Sequence, residues 1–529
     1  MWDRRHLMTD PLLDLLGTGR AHGGERARFL VGPRYLTLLP RLADLCATDA
    51  RALPIAAQVL AWIEAGATSF DRVDPDVLRS FAGAVGRAAL RHGGEAGVLA
   101  LFRVHALEYF GPYEPITEEL GEELLSSPDP ELRLAAAVCS GGDDDVFREF
   151  LARESTGDTE RSVIRRTMDG RPQQIPMFAA AITTGAPIAR WHNIGQCRRI
   201  IDTWRAAPPQ LVPVLAGCLT DGPMPVRSAA AGALRMAGEV TREHLDLISE
   251  FFRETGNAQA LATLVAFQRP EAVAPLRDFL AAPHGNGSVQ ELLAEAAWCA
   301  AEIAGDMAVH LRAEAVDDPH RRLAATLNAL RNWGPAAAPL IPALAALHTN
   351  GVARTQVMEI LAGIGPSVVT VEELLLNEAR DKTIDGVRRS HAAAALLRCG
   401  SAVDEAAAVL LAEFDHPAAQ QHLATLDPAP DIPRHLAGAA IPAYRARILW
   451  LSGDRDPQLA ADLMRRVGPL PGGLRALGWL AETGDLIEPH RPALAALRDD
   501  PGRPRSSLGS FRVRSDERLH RALTDLRLG

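Results

Sequence analysis

The chain has 529 residues, a formal net charge of −10 and only 5% aromatic residues, and its apolar share is mostly Ala, Leu and Val. A negative charge of this size argues against a protein that coats nucleic acid or lies on an anionic membrane. The alanine- and leucine-rich composition favours closely packed helices over a sheet. The sequence has no apolar stretch of about 18 residues or more, so no membrane-spanning helix is predicted and a cytoplasmic location is expected.

In chain order, residues 1–32 are irregular, as expected for a capping unit whose outer face has no neighbour. Residues 33–152 read as helix pairs, with apolar residues at three- and four-residue steps and a glycine or turn after each helix. Residues 153–175 are polar and weakly periodic, which predicts an insertion that projects from the stack. Helix pairs resume over 176–498. Residues 499–529 are predicted as a basic loop and a C-terminal capping helix, and the arginines near this loop are interpreted as part of a mobile insertion. They are Arg503, Arg505, Arg512 and Arg514.

Glycines follow helical segments at an even spacing in the middle of the chain. They are Gly305, Gly334, Gly365 and Gly400, separated by 29, 31 and 35 residues. The predicted second helices of the pairs begin at a similar interval from Pro223 to His416. A fixed period near 30 residues is typical of a solenoid of stacked helix pairs. We therefore predict an all-α chain that forms an α-α superhelix, a HEAT/armadillo-like solenoid of roughly 14–16 antiparallel helix pairs.

Three segments share a turn aspartate, one or two arginines, a run of alanines and a closing glycine. They are DGPMPVRSAAAGALRMAG from Asp221, DDPHRRLAATLNALRNWG from Asp317 and DGVRRSHAAAALLRCG from Asp385. This pattern resembles the short HEAT repeats of phycobilisome-lyase-like bacterial proteins. The resemblance implies a fold and no particular activity. The arginines at the shared position are predicted to pair with the turn aspartate of a neighbouring unit, as a ladder along the solenoid. They are Arg133, Arg227, Arg321 and Arg388.

No catalytic or metal-binding pattern stands out in the sequence, and no cofactor is expected. The chain has no HExxH, Walker A or GxSxG motif. His416, His422 and His435 do not share one helix face in the way that i,i+4 zinc ligands do. The cysteines form no CxxC pair and are interpreted as small buried hydrophobic residues. They are Cys46, Cys139, Cys197, Cys218, Cys299 and Cys399.

Basic and aromatic residues around the predicted insertion form the candidate binding site. Such a surface in an otherwise acidic chain suits an acidic peptide, a phosphate group or a nucleic-acid backbone. In the alternative interpretation the tryptophans are core residues and the arginines pair with neighbouring carboxylates. The candidate residues are Arg161, Arg165, Arg166 and Arg171 in the insertion and Arg190, Trp191, His192, Arg198 and Arg199 after it. Trp204 and Arg205 follow them.

The sequence therefore predicts a non-enzymatic HEAT-repeat scaffold. It would hold another protein, or an acidic segment, on its concave face and on residues 153–205. The alternative is a HEAT-like enzyme, since such repeats also occur in bilin lyases and in DNA alkylpurine glycosylases. A glycosylase needs a basic groove, stacking aromatic residues and a carboxylate. The net charge and the length of the chain argue against this alternative and against a nucleic-acid partner.

Overall fold

A computed structural model describes residues 39–65, 75–92, 94–106, 118–168, 171, 173–281, 292–317, 321–427, 429–442, 444–503 and 512–526. Over these ranges the chain is helical and has no strand, only an isolated antiparallel bridge between Trp204 and Gly502. No described helix is both long enough and apolar enough to cross a lipid bilayer. The helices form an α-α superhelix, so the predicted fold class is confirmed. The predicted cap at 1–32 lies outside the described residues.

The chain divides into two compact units, Met1–Cys197 and Arg198–Gly529. The helices that begin in the first unit are α1 (Leu39–Thr48), α2 (Leu53–Ala65), α3 (Pro75–His92), α4 (Gly94–Ala106), α5 (Glu118–Leu125), α6 (Pro130–Cys139), α7 (Asp144–Ala152), α8 (Asp158–Thr167), α9 (Gln174–Thr184) and α10 (Pro187–Thr203).

The second unit continues with α11 (Ala207–Thr220), α12 (Met224–Met236), α13 (Leu245–Thr255), α14 (Ala258–Ala266), α15 (Val273–Ala281), α16 (Ala300–Asp317), α17 (Arg322–Leu330), α18 (Ile341–Thr349), α19 (Arg354–Ile364) and α20 (Glu372–Arg380). It ends with α21 (Gly386–Cys399), α22 (Val403–Ala412), α23 (Pro417–Thr425), α24 (Arg434–Ala437), α25 (Arg445–Leu451), α26 (Pro457–Met464), α27 (Pro471–Ala481), α28 (Arg491–Asp499) and α29 (Arg512–Asp525). Short 3-10 turns precede several of these helices.

The second helices of successive pairs pack directly on one another. In the first unit α2 packs on α4 and α4 on α6, and in the second unit α12 packs on α14 and α19 on α21. The alanine runs explain this packing, because a methyl side chain lets two helix backbones approach closely. In α21 the four alanines Ala392–Ala395 are fully buried. The helix begins at the Asp385 side chain, which accepts a hydrogen bond from Arg388 N, and ends at Gly400 in the left-handed conformation.

The predicted glycine spacing is correct at three positions and wrong at the first. Gly334, Gly365 and Gly400 follow helical segments with positive φ angles of 52°, 87° and 74°, where a side chain would be strained. Gly305 instead lies inside α16. Good helix formers follow it, and together they outweigh the roughly 1 kcal/mol that a glycine costs relative to alanine.

The structure corrects the predicted insertion at 153–175. Residues 158–167 form α8, which packs on α4 and α6 in the series of second helices. Its apolar side is short, since only Val163, Ile164 and the following Met168 fill it, and all three are buried. The five charged residues of α8 that precede or separate them hid this helical spacing in the sequence.

The arginine ladder is confirmed only in part, and its partners are glutamates: Arg133 and Arg227 reach the next helix pair, whereas Arg388 bonds within its own pair. Arg133 pairs with Glu149 at 2.8 Å and Arg388 with Glu378 at 2.6 Å, and Arg227 Nη1 lies 3.0 Å from Glu254 Oε1. For these arginines the predicted aspartate partner is therefore wrong. Two of the turn aspartates, Asp129 and Asp385, cap their own helices instead. The longer glutamate side chains of adjacent helices are the partners that the arginines reach.

The last helix returns to the beginning of the second unit. Leu519 and Leu523 of α29 are buried in a core shared with Leu480 of α27 and Leu494 of α28. At its other end, α29 packs on α12 and on the 3-10 turn Gly238–His244. The second unit is therefore closed by contacts between its two ends, whereas a capping helix would contact the last pair alone.

This closure also corrects the interpretation of the C-terminal arginines as a mobile insertion. Arg503 is buried, and its backbone N–H donates to Thr203 O at 2.7 Å. Arg514 is bonded to Glu295 at 2.9 Å. Arg505 lies outside the described residues.

Candidate functional site

Helix α10 carries most of the residues predicted to bind a partner, and it has one buried and one exposed face. Its buried side includes Ala189, Asn193 and Ile200. The opposite face exposes two large apolar side chains, since Ile188 is 48% and Trp191 45% exposed. Exposed apolar side chains of this size on one helix face are typical of a contact surface. The remaining exposed residues of the helix interior are Gly195, Arg198 and Arg199.

Trp191 therefore belongs to the surface, against the interpretation that it is a core residue. Its indole lies beside the half-buried imidazole of His192, with ring centroids 4.6 Å apart. An indole offers a large flat apolar surface with a single N–H donor, a combination enriched at the centres of protein interfaces.

Arg161 does not contribute to this surface, because its side chain is fully buried. Its Nε donates to Asn193 Oδ1 at 3.0 Å, and its Nη2 donates to Arg153 O at 2.7 Å. Asn193 in turn donates from Nδ2 to Leu151 O at 2.8 Å. The guanidinium thus connects α7, α8 and α10 within the first unit and has a structural role.

The other predicted residues before α10 are half-buried. Arg165 and Arg166 lie in the last turn of α8, and the Arg165 carbonyl accepts a bond of 2.6 Å from Gln174 Nε2. The Arg171 guanidinium covers the turn at Gly142, where an added Cβ would lie 2.4 Å from Arg171 Nη1. These three side chains border the packed structure and are only partly available to a partner.

On α10 itself the predicted cations differ in exposure. Arg190 is half-buried, whereas Arg198 and Arg199 are exposed. Arg198 Nε lies 3.0 Å from Met236 Sδ. The structure thus leaves Trp191, Arg198 and Arg199 as the most accessible of the predicted residues, and it adds Ile188, which the sequence analysis did not single out.

A cavity of about 440 Å³ lies at the base of α13, but four of its five polar or charged side chains, all except Arg253, are bound to one another. Ser249 donates to Glu271 at 2.8 Å, and Arg269 pairs with Glu271 at 2.8 Å and with Asp246 at 2.9 Å. With these groups already paired, the cavity offers little to orient a ligand.

The cysteines are hydrophobic core residues, as predicted. Five of the six are buried, and the sixth, Cys399, is half-buried. Burial raises the pKa of Cys46 and of Cys139 to about 12 and that of Cys299 to about 11. These three thiols stay protonated at neutral pH and are poor nucleophiles. Over the described ranges no three His, Cys, Asp or Glu side chains come together as a metal site would require.

Two buried histidines form a pair that the sequence did not suggest. His391 Nδ1 and His422 Nε2 are 2.8 Å apart, so the N–H of one ring donates a hydrogen bond and the unprotonated nitrogen of the other ring accepts it. Burial lowers the pKa of His391, and it lowers the pKa of His422 further with the help of the charges on His391 and Arg398. His416 and His435, considered with His422 as a loose cluster, do not join this pair: His416 lies by Glu413 and His435 is exposed.

We expect this pair to make the second unit sensitive to acid. The unfolded chain binds protons at these histidines below about pH 6.5, whereas the folded chain resists them, so stability falls as the pH falls. The loss is up to about 1.4 kcal/mol per pH unit for each histidine. Urea unfolding at pH 7.5 and pH 5.5 measures it. The double variant His391→Gln/His422→Gln should be less pH-dependent, while His435→Gln should behave as wild type. Equal pH dependence in all three proteins would show that the pair does not titrate as described.

No protein-family model matches the chain, and no curated protein matches it in sequence. A crystal structure of Kap121p aligns with 98% of this chain and 68% of its own at 12% sequence identity, with a TM-score of 0.34. A crystal structure of importin beta aligns with 99% of this chain and 74% of its own at 15% identity, with a TM-score of 0.29. A structure concerned with the interaction between cadherin and beta-catenin aligns with 91% of this chain and all of its own at 12% identity, with a TM-score of 0.31. Scores this low carry no information about partners or activity.

Proposed function

We propose that this protein is a non-enzymatic helical-repeat scaffold that binds an acidic segment of another protein. The contact would be made by the exposed face of α10 and would continue along the concave side of the repeats. The single observation that carries the proposal is the exposure of Trp191 and Ile188 on one helix face in a basic part of the chain.

The charge of this segment supports an acidic partner. Residues 161–199 contain seven arginines and one acidic residue, Asp169, in a chain whose net charge is −10. Arg161 is buried, but its positive charge still adds to the local potential. A basic surface attracts acidic segments of a partner and speeds their encounter with the site. The apolar side chains of Ile188 and Trp191 would then supply contact area for the bound partner.

Peptide display tests this proposal directly. A random peptide library selected on the intact protein should enrich sequences that combine acidic with aromatic or aliphatic residues. Trp191→Ala should weaken the binding of a selected peptide by about 30-fold or more, the loss typical of an interface hot spot. The matched control is Met224→Ala, because Met224 is 46% exposed on another helix; it should leave affinity unchanged.

Circular dichroism must show that both variants remain folded. Peptides without acidic enrichment, or equal affinity of Trp191→Ala and wild type, would contradict the proposal. A parallel titration with double-stranded DNA tests the glycosylase alternative. Salt-sensitive binding of DNA, whose affinity falls steeply between about 50 and 200 mM salt, would favour that alternative.

A further inference from the structure

The C-terminal helix α29 sits in a groove built from both ends of the second unit. Its buried side chains are spaced as one face of a helix, and the opposite face is charged and exposed. Val513, Asp516, Leu519 and Leu523 are buried, whereas Arg518, His520 and Arg521 are exposed. The helix is therefore amphipathic, with a carboxylate in the middle of its apolar side.

That carboxylate lies between two arginines from different parts of the chain. Asp516 accepts hydrogen bonds of 2.9 and 2.7 Å from Nε and Nη2 of Arg205, and one of 2.8 Å from Nη1 of Arg503. Arg205 Nη1 also donates to the carbonyls of Arg498 and Asp500 at 2.7 Å each. Two planar guanidinium groups oriented in this way specify a carboxylate rather than any polar group.

The first turn of α29 contacts two further pairs of the unit. A Cβ built on Gly238 would lie 2.8 Å from Val513 Cγ1, so only glycine permits this approach. Arg514 donates to Ala266 O at 3.0 Å and to Glu295 at 2.9 Å, and its guanidinium lies 4.6 Å from the centre of the Phe267 ring. The groove therefore recognises a helix by shape, by one carboxylate and by one cation.

One contact weakens the hold of the groove on α29. Glu517 is half-buried and accepts a hydrogen bond of 3.1 Å from the backbone N–H of Glu239, whose own carboxylate repels it. Burial and this repulsion raise the pKa of Glu517 above its usual value, so holding its charge there is unfavourable. Moreover, α29 is a single helix of 14 residues, and an isolated helix of that length has little stability in water. Both features lower the free energy needed to release α29 from the groove.

We propose that this groove is an interaction site for an amphipathic helix with a central carboxylate. The α29 helix occupies it within the chain, and a helix of the same pattern from another protein occupies it when α29 is displaced. The groove binds through residues such as Arg205 and Arg503, which are not part of the exposed face of α10. It therefore goes beyond the scaffold function proposed above.

Site-specific cleavage of the full-length protein tests the site. A protease recognition sequence placed in residues 504–511 allows α29 to be cut from the chain after folding. A fluorescent peptide of residues 512–529 should then bind the cleaved protein in a polarisation assay and exchange with the resident helix. The intact protein should bind the peptide far more weakly, because its own helix competes at high effective concentration.

Two peptide variants show which contact is recognised. The Asp516→Asn peptide should bind at least about 30-fold more weakly, because an amide leaves two guanidinium groups without a carboxylate. The Asp525→Asn peptide makes the same change at an exposed position and should bind as wild type. The proposal is overturned if the peptide does not bind the cleaved protein, if cleaved and intact proteins bind it equally, or if the Asp516→Asn peptide keeps its affinity. Unfolding of the cleaved protein, seen by circular dichroism, would also overturn it, since α29 would then be a fixed part of the fold.

Discussion

Replacing Asp516 with alanine is expected to lower the free energy of unfolding of the second unit by about 3–5 kcal/mol. The Asp516 side chain is 2% exposed, and those of Arg503 and Arg205 are 3% and 16% exposed. In the wild type the Asp516 carboxylate lies 2.8 Å from the buried Arg503 guanidinium. Removing the carboxylate leaves this guanidinium buried without that opposite charge. This cost is much larger than the loss of an exposed pair, because Arg503 cannot turn towards water to recover its hydration.

Urea unfolding followed by tryptophan fluorescence measures the change, since Trp450 and Trp479 pack against the core that includes Leu519 and Leu523. The control is Asp525→Ala, which removes a carboxylate at an exposed position of the same helix and should have no measurable effect. The double variant Arg503→Met/Asp516→Leu should recover part of the loss, because buried ion pairs are often replaced by apolar residues at little cost. A loss below about 1 kcal/mol for Asp516→Ala would show that the closure contributes little to stability.

The helical repeats could be predicted from the sequence, but the closure of the second unit could not. Each repeat carries its own local signals, such as the capping Asp385 and the αL Gly400, which occur within one segment. The closure depends on the small rotation between successive pairs, summed from Arg205 to Asp516, a separation of 311 residues. No single residue encodes that sum. Asp516 also lies in the segment RVRSDERLHR, whose alternating charges are typical of a solvated helix.

The candidate site on α10 was predicted in part, for a related reason. The enrichment in arginine and tryptophan is visible in the sequence, whereas the direction of each side chain follows from packing. Trp191 is exposed and Arg161 is fully buried, opposite to what their hydrophobicity alone indicates. The signal that was available for Arg161 is its position two residues before the short apolar run of α8 and three residues before the buried Ile164.

The second large effect is expected for Arg161→Ala, which should lower the free energy of unfolding of the first unit by about 3–5 kcal/mol. The substitution removes the donors of Asn193 Oδ1 and of the Arg153 carbonyl, which lie 3.0 and 2.7 Å from the guanidinium. The Gly157 carbonyl loses one donor at 3.4 Å but keeps the backbone N–H of residue 161. Each buried acceptor left unsatisfied costs about 1–3 kcal/mol. Arg161→Lys should recover only a minor part, since a single ammonium group cannot reproduce the planar fork of donors.

The control for this prediction is Arg148→Ala, because Arg148 is an exposed arginine on α7, paired with Asp145 within one helix turn. Its removal should leave the denaturation midpoint unchanged, as is usual for exposed pairs.

Asn193→Ala should be about as destabilising as Arg161→Ala. The double variant should lose less free energy of unfolding than the sum of the two single losses, because both residues act in one hydrogen-bond network. If Arg161→Ala instead keeps wild-type stability and weakens peptide binding as much as Trp191→Ala, Arg161 belongs to the binding surface after all. Measuring stability and peptide affinity on the same variants therefore distinguishes the structural role of Arg161, which bonds to α10, from the binding role of Trp191, which is exposed on α10.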